Sequence, residues 1–250
     1  MVFIHVIGYP DTVRAVEECR ARGQQYVMIQ YCLRSTQKPN TADWFQLWED
    51  ALLVWSYYDL AQLAFEDSLM ISTENLYCSP LGVDHDVFRY SPQPPRFLMM
   101  TSGYVAETEG VREVEEATRL VGASMFHLGP ALDLAGHVVS KHGILDAELS
   151  RIYGSCEFVA GLRRCEGFEL PAAEGLCSGA RPILFDRPHY RKWYGQWGVF
   201  IPEESHTDVV NSLLQVFARG YQSVTAEEAA EAALWFDWGR IIRELYRRVM

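Results

Sequence analysis

The feature that most constrains the fold of this chain is a regular alternation of two kinds of segment after residue 95. Short apolar runs predict buried strands, and segments with apolar residues three or four positions apart predict helices. The predicted strands are 96–101, 124–128, 156–162, 181–186 and 199–202, and the predicted helices are 111–121, 146–153, 171–178 and 190–194. Such alternation indicates an α/β fold, with helices on both faces of a parallel sheet.

The first part of the chain follows the same pattern less regularly. We expect strands at 2–8, 26–32 and 74–79, a helix capped by Asp11, and a helix, short strand and helix within 43–67. The proline-rich run 89–95 reads as a linker. This divides the chain into domains 1–88 and 89–250, the second closed by two helices with capping boxes at Ser205 and Thr225.

Bulk composition limits the classes of function. The 250 residues are 49% hydrophobic, which is sufficient for a packed core. With 22 Lys and Arg against 33 Asp and Glu, the net charge of -11 argues against a nucleic-acid partner. The six cysteines form no CxxC pair, so we expect neither a metal site nor disulfides. No signal peptide or membrane span is recognisable, and we expect a cytoplasmic protein without a transmembrane segment.

The segment from Glu166 to Glu174 is the strongest candidate for a ligand site. A predicted strand, the glycine turn at Gly167 and a helix begun by Pro171 present a helix N-terminus, which suits a phosphate group. The two carboxylates suit sugar hydroxyls on the same ligand. For an arbitrary pair of glutamates, however, solvent exposure without function is the more common situation.

These residues resemble a known family. The run EGFELPAAEGLCSGARPI, with its Glu-x7-Glu spacing, is similar to the donor-site motif of retaining glycosyltransferases with the GT-B fold, particularly the GT4-like group. Pro80 to Asp84 with Phe88, and the strand 97–103, resemble other elements of that family. The resemblance implies two Rossmann-like domains with parallel sheets facing a cleft. It also implies a truncated N-terminal domain, because the acceptor domain of the family is much longer.

The resemblance assigns roles to individual positions. Glu166 would be the catalytic residue that positions the donor sugar, and Glu174 would hold the ribose hydroxyls. The remaining donor-binding residues would be Gly103, Gly167, Phe168, Glu169, Leu170, Lys141, His142, Gly143 and Ile144. Of these, Phe168 to Leu170 would bind the diphosphate through their amides, and Lys141 to Ile144 would lie against the base.

The reaction implied is transfer of a sugar from a nucleotide-diphosphate sugar to an acceptor hydroxyl, with retention and with no metal or other cofactor. The acceptor would be a carbohydrate or glycoconjugate. An epimerase or hydrolase acting on nucleotide sugars, or an inactive binding module, remains open as an alternative.

The sequence departs from the family at its phosphate-binding cations. Basic residues are usual after the first donor-domain strand, where this chain has Gly103 and Glu109. The nearby candidates for the missing cation are Arg112, Arg163 and Arg164, although any one of them is more commonly a solvated surface residue.

On the acceptor side, His5 and Gly8 end the first predicted strand. The aromatic residues in the region after residue 43 could stack on a sugar, but their helical spacing favours a core role: Trp44, Trp48, Trp55, Tyr57 and Tyr58.

Overall fold

The computed structural model describes residues 1–6, 8–31, 41–66, 72–130, 133–164, 167–220 and 223–250. Its elements in chain order are β1 (Val2–His5), α1 (Tyr9–Ala21), β2 (Tyr26–Gln30), α2 (Thr41–Trp48), β3 (Leu53–Ser56), α3 (Leu60–Glu66), β4 (Leu76–Cys78), β5 (Phe97–Ser102), α4 (Val111–Leu120), β6 (Met125–Leu128), β7 (Val138–Lys141), α5 (Asp146–Tyr153), β8 (Cys156–Gly161), α6 (Leu170–Ser178), β9 (Arg181–Phe185), α7 (Pro188–Tyr194), β10 (Val199–Ile201), α8 (His206–Arg219), α9 (Ala226–Trp235) and α10 (Trp238–Val249).

The chain divides into two compact units. Unit 1 comprises Met1–Leu81 with Trp238–Met250, and unit 2 comprises Gly82–Asp237. The predicted linker at 89–95 therefore lies inside unit 2, where the backbone amide of Gln93 donates to the carbonyl of Gly154 at 2.7 Å. The predicted boundary after residue 88 lies seven residues beyond the division that the contacts show.

Unit 1 is built on a parallel sheet in which β1, β2, β3 and β4 lie side by side in chain order. The prediction of helix, strand and helix after residue 43 is confirmed by α2, β3 and α3. The predicted cap at Asp11 is wrong. Helix α1 begins at Tyr9 with Gly8 as its N-cap, because Pro10 fits the first turn and the hydroxyl of Thr12 donates to the Gly8 carbonyl at 2.7 Å.

Helix α10 packs in unit 1, although the sequence analysis placed it in the second domain. Its residues Ile241, Leu245 and Val249 share a buried cluster with Val27 of β2 and Trp55 of β3. This apolar stripe recurs at spacings of four residues, so one face of the helix covers the sheet of unit 1. The sequence prediction of two closing helices was also wrong, since α8, α9 and α10 are separate.

Unit 2 contains the second parallel sheet, in the order β10-β9-β8-β5-β6-β7. If the strands of this sheet are numbered 1 to 6 in chain order, beginning with β5, the order read from the β7 edge is 3-2-1-4-5-6. This is the order of doubly wound dinucleotide-binding folds. Strand β7 was not predicted, because it is only four residues long and, at the edge of the sheet, none of its residues is fully buried. The predicted α/β class with two Rossmann-like units is confirmed.

Candidate functional site

The strand order of unit 2 reverses between β5 and β8, which are neighbours in the sheet. Connections on either side of such a point leave in opposite directions, so the carboxyl ends of the two strands flank a crevice in which ligands bind. Helix α4 follows β5 and helix α6 follows β8. This switch point is where the predicted donor residues should meet.

Gly110, the N-cap of α4, allows close packing at the switch point. It has a positive φ of 69°, and a Cβ placed there would lie 2.6 Å from the Leu162 Cβ and 2.7 Å from the Leu162 carbonyl oxygen. Only glycine accepts both the backbone conformation and the contact. The start of α4 is thereby held directly against the end of β8.

Arg163 links the loops that follow β5 and β8. Its Nε donates to Glu109 Oε2 at 2.8 Å, and its Nη1 lies 3.4 Å from Glu169 Oε2. Its Nη2 donates to the Ser102 backbone oxygen at 3.1 Å and to the Ser102 hydroxyl at 3.0 Å. The Arg163 side chain is 18% exposed. Arg164 also joins the two loops, since its Nη1 donates to the Glu107 carbonyl at 2.7 Å. Of the three predicted candidates for a phosphate cation, Arg163 is the one whose guanidinium pairs with a carboxylate from each loop, within the described residues.

The other two candidates have different partners. Arg112 Nη1 donates to Glu115 at 2.9 Å and to the Asp133 carbonyl at 2.8 Å. Arg164 Nη2 donates to Glu113 at 2.7 Å, and its guanidinium lies 5.1 Å from the centre of the Phe185 ring. These contacts fasten α4 to neighbouring segments, which is a structural role that sequence alone could not distinguish from phosphate binding.

The side chain of Glu169 is turned into the protein, where it is 1% exposed. Its Oε1 accepts from the backbone N–H of Arg163 at 3.2 Å and from the Tyr190 hydroxyl at 3.1 Å. Burial and the adjacent carboxylate together raise the pKa of Tyr190, which keeps its hydroxyl a donor. The predicted role of Glu169 concerned its backbone amide alone. The anchoring of Arg163 by its side chain was missed.

Residues 167–170 lead into the N-terminus of α6. Phe168 is buried, with its ring 5.6 Å from that of Tyr194 and 5.8 Å from that of Phe236. Gly167 is buried and Leu170 is the first residue of the helix. The carbonyl of Glu169 accepts from Ala172 and Ala173, as expected for an N-cap. The helix axis therefore begins at the switch point, with its positive dipole end there.

Glu174 lies one turn into α6 and faces the end of α5. The Tyr153 hydroxyl donates to its Oε2 at 3.2 Å. Burial raises the pKa of Glu174 from 4.5 to about 7, the Tyr153 hydrogen bond partly opposes this rise, and the charge of Asp146 adds to it. A carboxyl group with a pKa near neutrality is frequent in functional sites, because a ligand can then shift its protonation.

Gly103 lies directly after β5 with a φ of 107°. A Cβ at this position would lie 2.6 Å from Glu109 Oε2 and 3.0 Å from Arg163 Nη2. The glycine thus lets the Glu109–Arg163 ion pair reach the backbone of the loop.

The predicted base-binding residues begin at Lys141, the last residue of β7, and continue through His142, Gly143 and Ile144. Lys141 pairs with Glu148 at 2.8 Å, and its carbonyl accepts from Gly129 at 2.9 Å. Lys141 and His142 are exposed, and Gly143 has a positive φ of 65°. The loop is therefore joined to the end of β6, at the carboxyl edge of the sheet.

Glu166, the predicted catalytic residue, lies outside the described residues. On the acceptor side, His5 is exposed at the end of β1, with its Nδ1 3.1 Å from the Tyr31 hydroxyl. The aromatic candidates favour the core interpretation. Those buried in unit 1 are Trp44, Trp48, Trp55 and Tyr57, while Tyr58 is partly buried.

Within the described ranges there is no group of three or more His, Cys, Asp or Glu residues placed to hold a metal ion. None of the helices in the described part of the chain combines the length and apolarity needed to cross a membrane. Among the described residues, Cys19, Cys156 and Cys177 are free thiols.

Neither a protein-family model nor a curated protein sequence matches the chain. Several solved structures do match the chain. Anabaena Alr3699/HepE, solved in complex with UDP, matches with a TM-score of 0.77 and 14% identity, covering 98% of this chain and 77% of that one. Sucrose-phosphate synthase from Thermosynechococcus elongatus matches with a TM-score of 0.77 and 14% identity, covering 99% and 73%.

This chain has the GT-B fold. The pneumococcal O-GlcNAc transferase GtfA, in complex with UDP and GlcNAc, is a further similar structure, with a TM-score of 0.69, 16% identity and coverage of 94% and 53%. At these identities the likeness establishes the fold, and the function has to be argued from the residues of the site.

Proposed function

We propose that this chain transfers a sugar from a nucleotide-diphosphate sugar to an acceptor hydroxyl. The observation that carries the proposal is the arrangement at the switch point of unit 2, where Arg163 and the N-terminus of α6 meet within a GT-B fold. A cation and a helix N-terminus in one crevice suit a diphosphate. Alr3699/HepE, a similar structure, has been solved with UDP and with UDP-glucose.

In this proposal each part of the donor has its own protein partners. The diphosphate binds the first-turn amides of α6 and the Arg163 guanidinium. Glu174 accepts the ribose hydroxyls, the base lies against residues 141–144, and Glu166 positions the sugar. Gly103 has no side chain, so the phosphates can approach the backbone of the loop after β5 closely.

Cleavage of the bond between sugar and diphosphate places negative charge on the departing phosphate oxygens. Amide dipoles and a guanidinium fixed in advance stabilise that charge without reorganising, and one such donor typically contributes about 3 kcal/mol. We infer that this charge is balanced without a metal ion and that the anomeric configuration is retained, as in the GT4-like group. We place the acceptor at the side of unit 1 that bears His5 and Gly8, with the acceptor domain shortened.

The charges around Arg163 set a condition for donor binding. One guanidinium faces two carboxylates, Glu109 and Glu169, so the trio is formally negative. A diphosphate would be repelled unless one carboxylate withdrew. Glu109 is the one that can, because its side chain is 19% exposed whereas that of Glu169 is 1% exposed. We infer that the diphosphate replaces Glu109 on Arg163.

Isothermal titration calorimetry with UDP-, GDP-, ADP- and TDP-glucose tests the donor site. We expect one of them to bind, and Arg163→Gln to weaken that binding by about ten-fold or more, the scale of a lost charged hydrogen bond. Arg219→Gln, at the exposed end of α8, is the matched control and should leave binding unchanged. Absence of binding by all four, in a protein that melts cooperatively, would refute the proposal.

A second experiment tests transfer. The donor that binds is incubated with a panel of carbohydrate acceptors, and the glycosylated product is sought by mass spectrometry. The anomeric configuration of the product, determined by NMR, decides between retention and inversion. Release of the nucleotide without an acceptor would show a hydrolase instead.

A further inference from the structure

A cavity lies in unit 2 beside the amino ends of β5 and β8. The proposed donor site lies at the carboxyl ends of these strands. Helix α5 packs on α6 and β8 and leaves part of the sheet face beside it open. The space between this face, α5 and residues 91–96 measures about 600 Å³. This falls within the usual range of about 300 to 1,000 Å³ for small-molecule sites.

The inner surface of this cavity is apolar. Phe97 and Phe126 meet edge to face, with ring centres 5.6 Å apart, and Ile152 of α5 lies across from them. Val139 of β7 completes the lining and is 43% exposed, which is high for a valine in a strand. Phe97 and Phe126 are only 8% and 1% exposed, so Val139 and the partly buried Ile152 supply most of the apolar surface that an apolar group placed here would cover.

Basic side chains line the same cavity. The Arg96 guanidinium lies 5.7 Å from the centre of the Phe97 ring, and Arg151 projects from α5. Within the described ranges neither arginine has a carboxylate within 4.0 Å. Lys141 and Glu148 also line the cavity, but they pair with each other at 2.8 Å. The two arginines therefore give the site a local positive charge, in a chain whose net charge is -11.

The cavity wall is held by backbone hydrogen bonds. The Gln93 amide donates to the Gly154 carbonyl at 2.7 Å, and the Arg96 amide donates to the Ser155 carbonyl at 2.9 Å. Arg96 and Ser155 precede β5 and β8, so these bonds fix the wall at the amino ends of the strands. A wall fixed in this way costs a ligand little ordering entropy.

We propose that this cavity binds a small amphipathic anion, with an aromatic body against Val139, Ile152 and the edge of Phe97 and one carboxylate or phosphate group on Arg96 and Arg151. The apolar floor alone would accept any hydrophobic molecule. The arginines favour an anion over a neutral molecule. The Phe97 ring, which contacts the Arg96 guanidinium, helps to fix the position of that guanidinium. The wall lies at the amino ends of β5 and β8, whereas the proposed donor site lies at the carboxyl ends of these strands. Among the described residues, Lys141, which lines the cavity, is the one that the two sites share.

Naphthalene-2-carboxylate is a suitable probe, since it combines a flat apolar body with one anionic group. We expect it to bind saturably at one site, with a Kd below about 1 mM. Its neutral amide should bind about ten-fold more weakly, and acetate should show no measurable binding. Fluorescence titration of the probe, checked by calorimetry, measures these differences.

Matched variants locate the bound probe. Arg96→Gln and Arg151→Gln should each weaken binding several-fold, Val139→Asp should abolish it, and Arg89→Gln, an exposed arginine outside the cavity, should have no effect. Melting curves confirm that each variant is folded. Equal affinity for carboxylate and amide, equal effects of Arg89→Gln and Arg96→Gln, or displacement of the probe by a nucleotide sugar would each overturn the proposal.

Discussion

Replacing Glu174 with glutamine should make the protein more stable at pH 8 than the wild type. The pKa of Glu174 is raised from 4.5 to about 7, mainly by burial. Between these pH values the unfolded chain has released the proton that the folded chain still holds, so the free energy of unfolding falls as pH rises. The stabilisation from the neutral carboxyl is complete below pH 4.5 and is lost above about pH 7.

The magnitude follows from the size of the pKa difference. Each pKa unit corresponds to about 1.4 kcal/mol, so the shift sets an upper limit of about 3 kcal/mol. Glu174 is only partly shielded from solvent, and we therefore expect about 2 kcal/mol. Glutamine has the same shape, carries no charge and can still accept from Tyr153. The variant should gain on the wild type between pH 4.5 and 7 and keep that gain above pH 7.

Urea unfolding of both proteins at intervals from pH 4.5 to pH 8 measures this difference. Glu148→Gln is the matched control, because the hydrogen bond and charge of Lys141 lower the pKa of that exposed carboxyl. The contribution of Glu148 is lost only as the pH falls below 4.5, so this variant should differ from the wild type by a constant amount between pH 4.5 and 8. If the Glu174 variant and the wild type respond to pH identically, the side chain is not desolvated in the way the structure indicates.

The same group links pH to ligand binding. If ribose hydroxyls donate to Glu174, they favour its ionised form and lower its pKa. Nucleotide binding near pH 6.5 should then release up to about one proton per site. Calorimetry in buffers of different ionisation enthalpy detects this proton. Binding without proton release would argue against contact between the ribose and Glu174.

Three further substitutions test separate parts of the structure. Glu109→Gln should tighten binding of the nucleotide sugar several-fold, because it removes the charge that competes for Arg163; weaker binding by calorimetry would contradict the exchange proposed for the diphosphate. Gly110→Ala should lower the free energy of unfolding by about 3 kcal/mol, since Leu162 leaves no space for the methyl group, and a loss below about 1 kcal/mol would contradict this packing. Thr225→Ala should cost about 1 kcal/mol in thermal or urea unfolding by removing the capping box of α9, whereas Thr225→Ser should restore most of it.

Much of the fold could be predicted from local sequence signals. Apolar runs and helical spacing predict most strands and helices of unit 2. Strand β7 was missed because a four-residue edge strand shows neither pattern. For helix α10 the element could be predicted from the sequence but its packing partner could not. Its stripe of Ile241, Leu245 and Val249 predicts an apolar face, but the spacing does not say which sheet the face will cover.

The site was predictable in position more than in side-chain detail. A glycine turn before a helix predicts that residues 167–170 lead into a helix, and α6 does begin at Leu170; the binding role of these residues stays a prediction. The choice among Arg112, Arg163 and Arg164 could not be made from sequence. It depends on where each guanidinium finds a carboxylate, and those carboxylates are 3 to 54 residues away along the chain.

The arrangement around Arg163 explains why this site tolerates a carboxylate at position 169. A buried carboxylate is costly unless charges and hydrogen bonds offset its desolvation, and Glu169 has the Arg163 guanidinium, the Arg163 amide and the Tyr190 hydroxyl. These contacts also hold the arginine side chain in place. Glu109 makes the shorter contact with Arg163, 2.8 Å against 3.4 Å, but from the more exposed side, where a ligand can reach it. A diphosphate that replaces Glu109 would therefore meet an arginine already oriented by Glu169 and Ser102, and the cost of ordering that side chain would fall on folding rather than on binding.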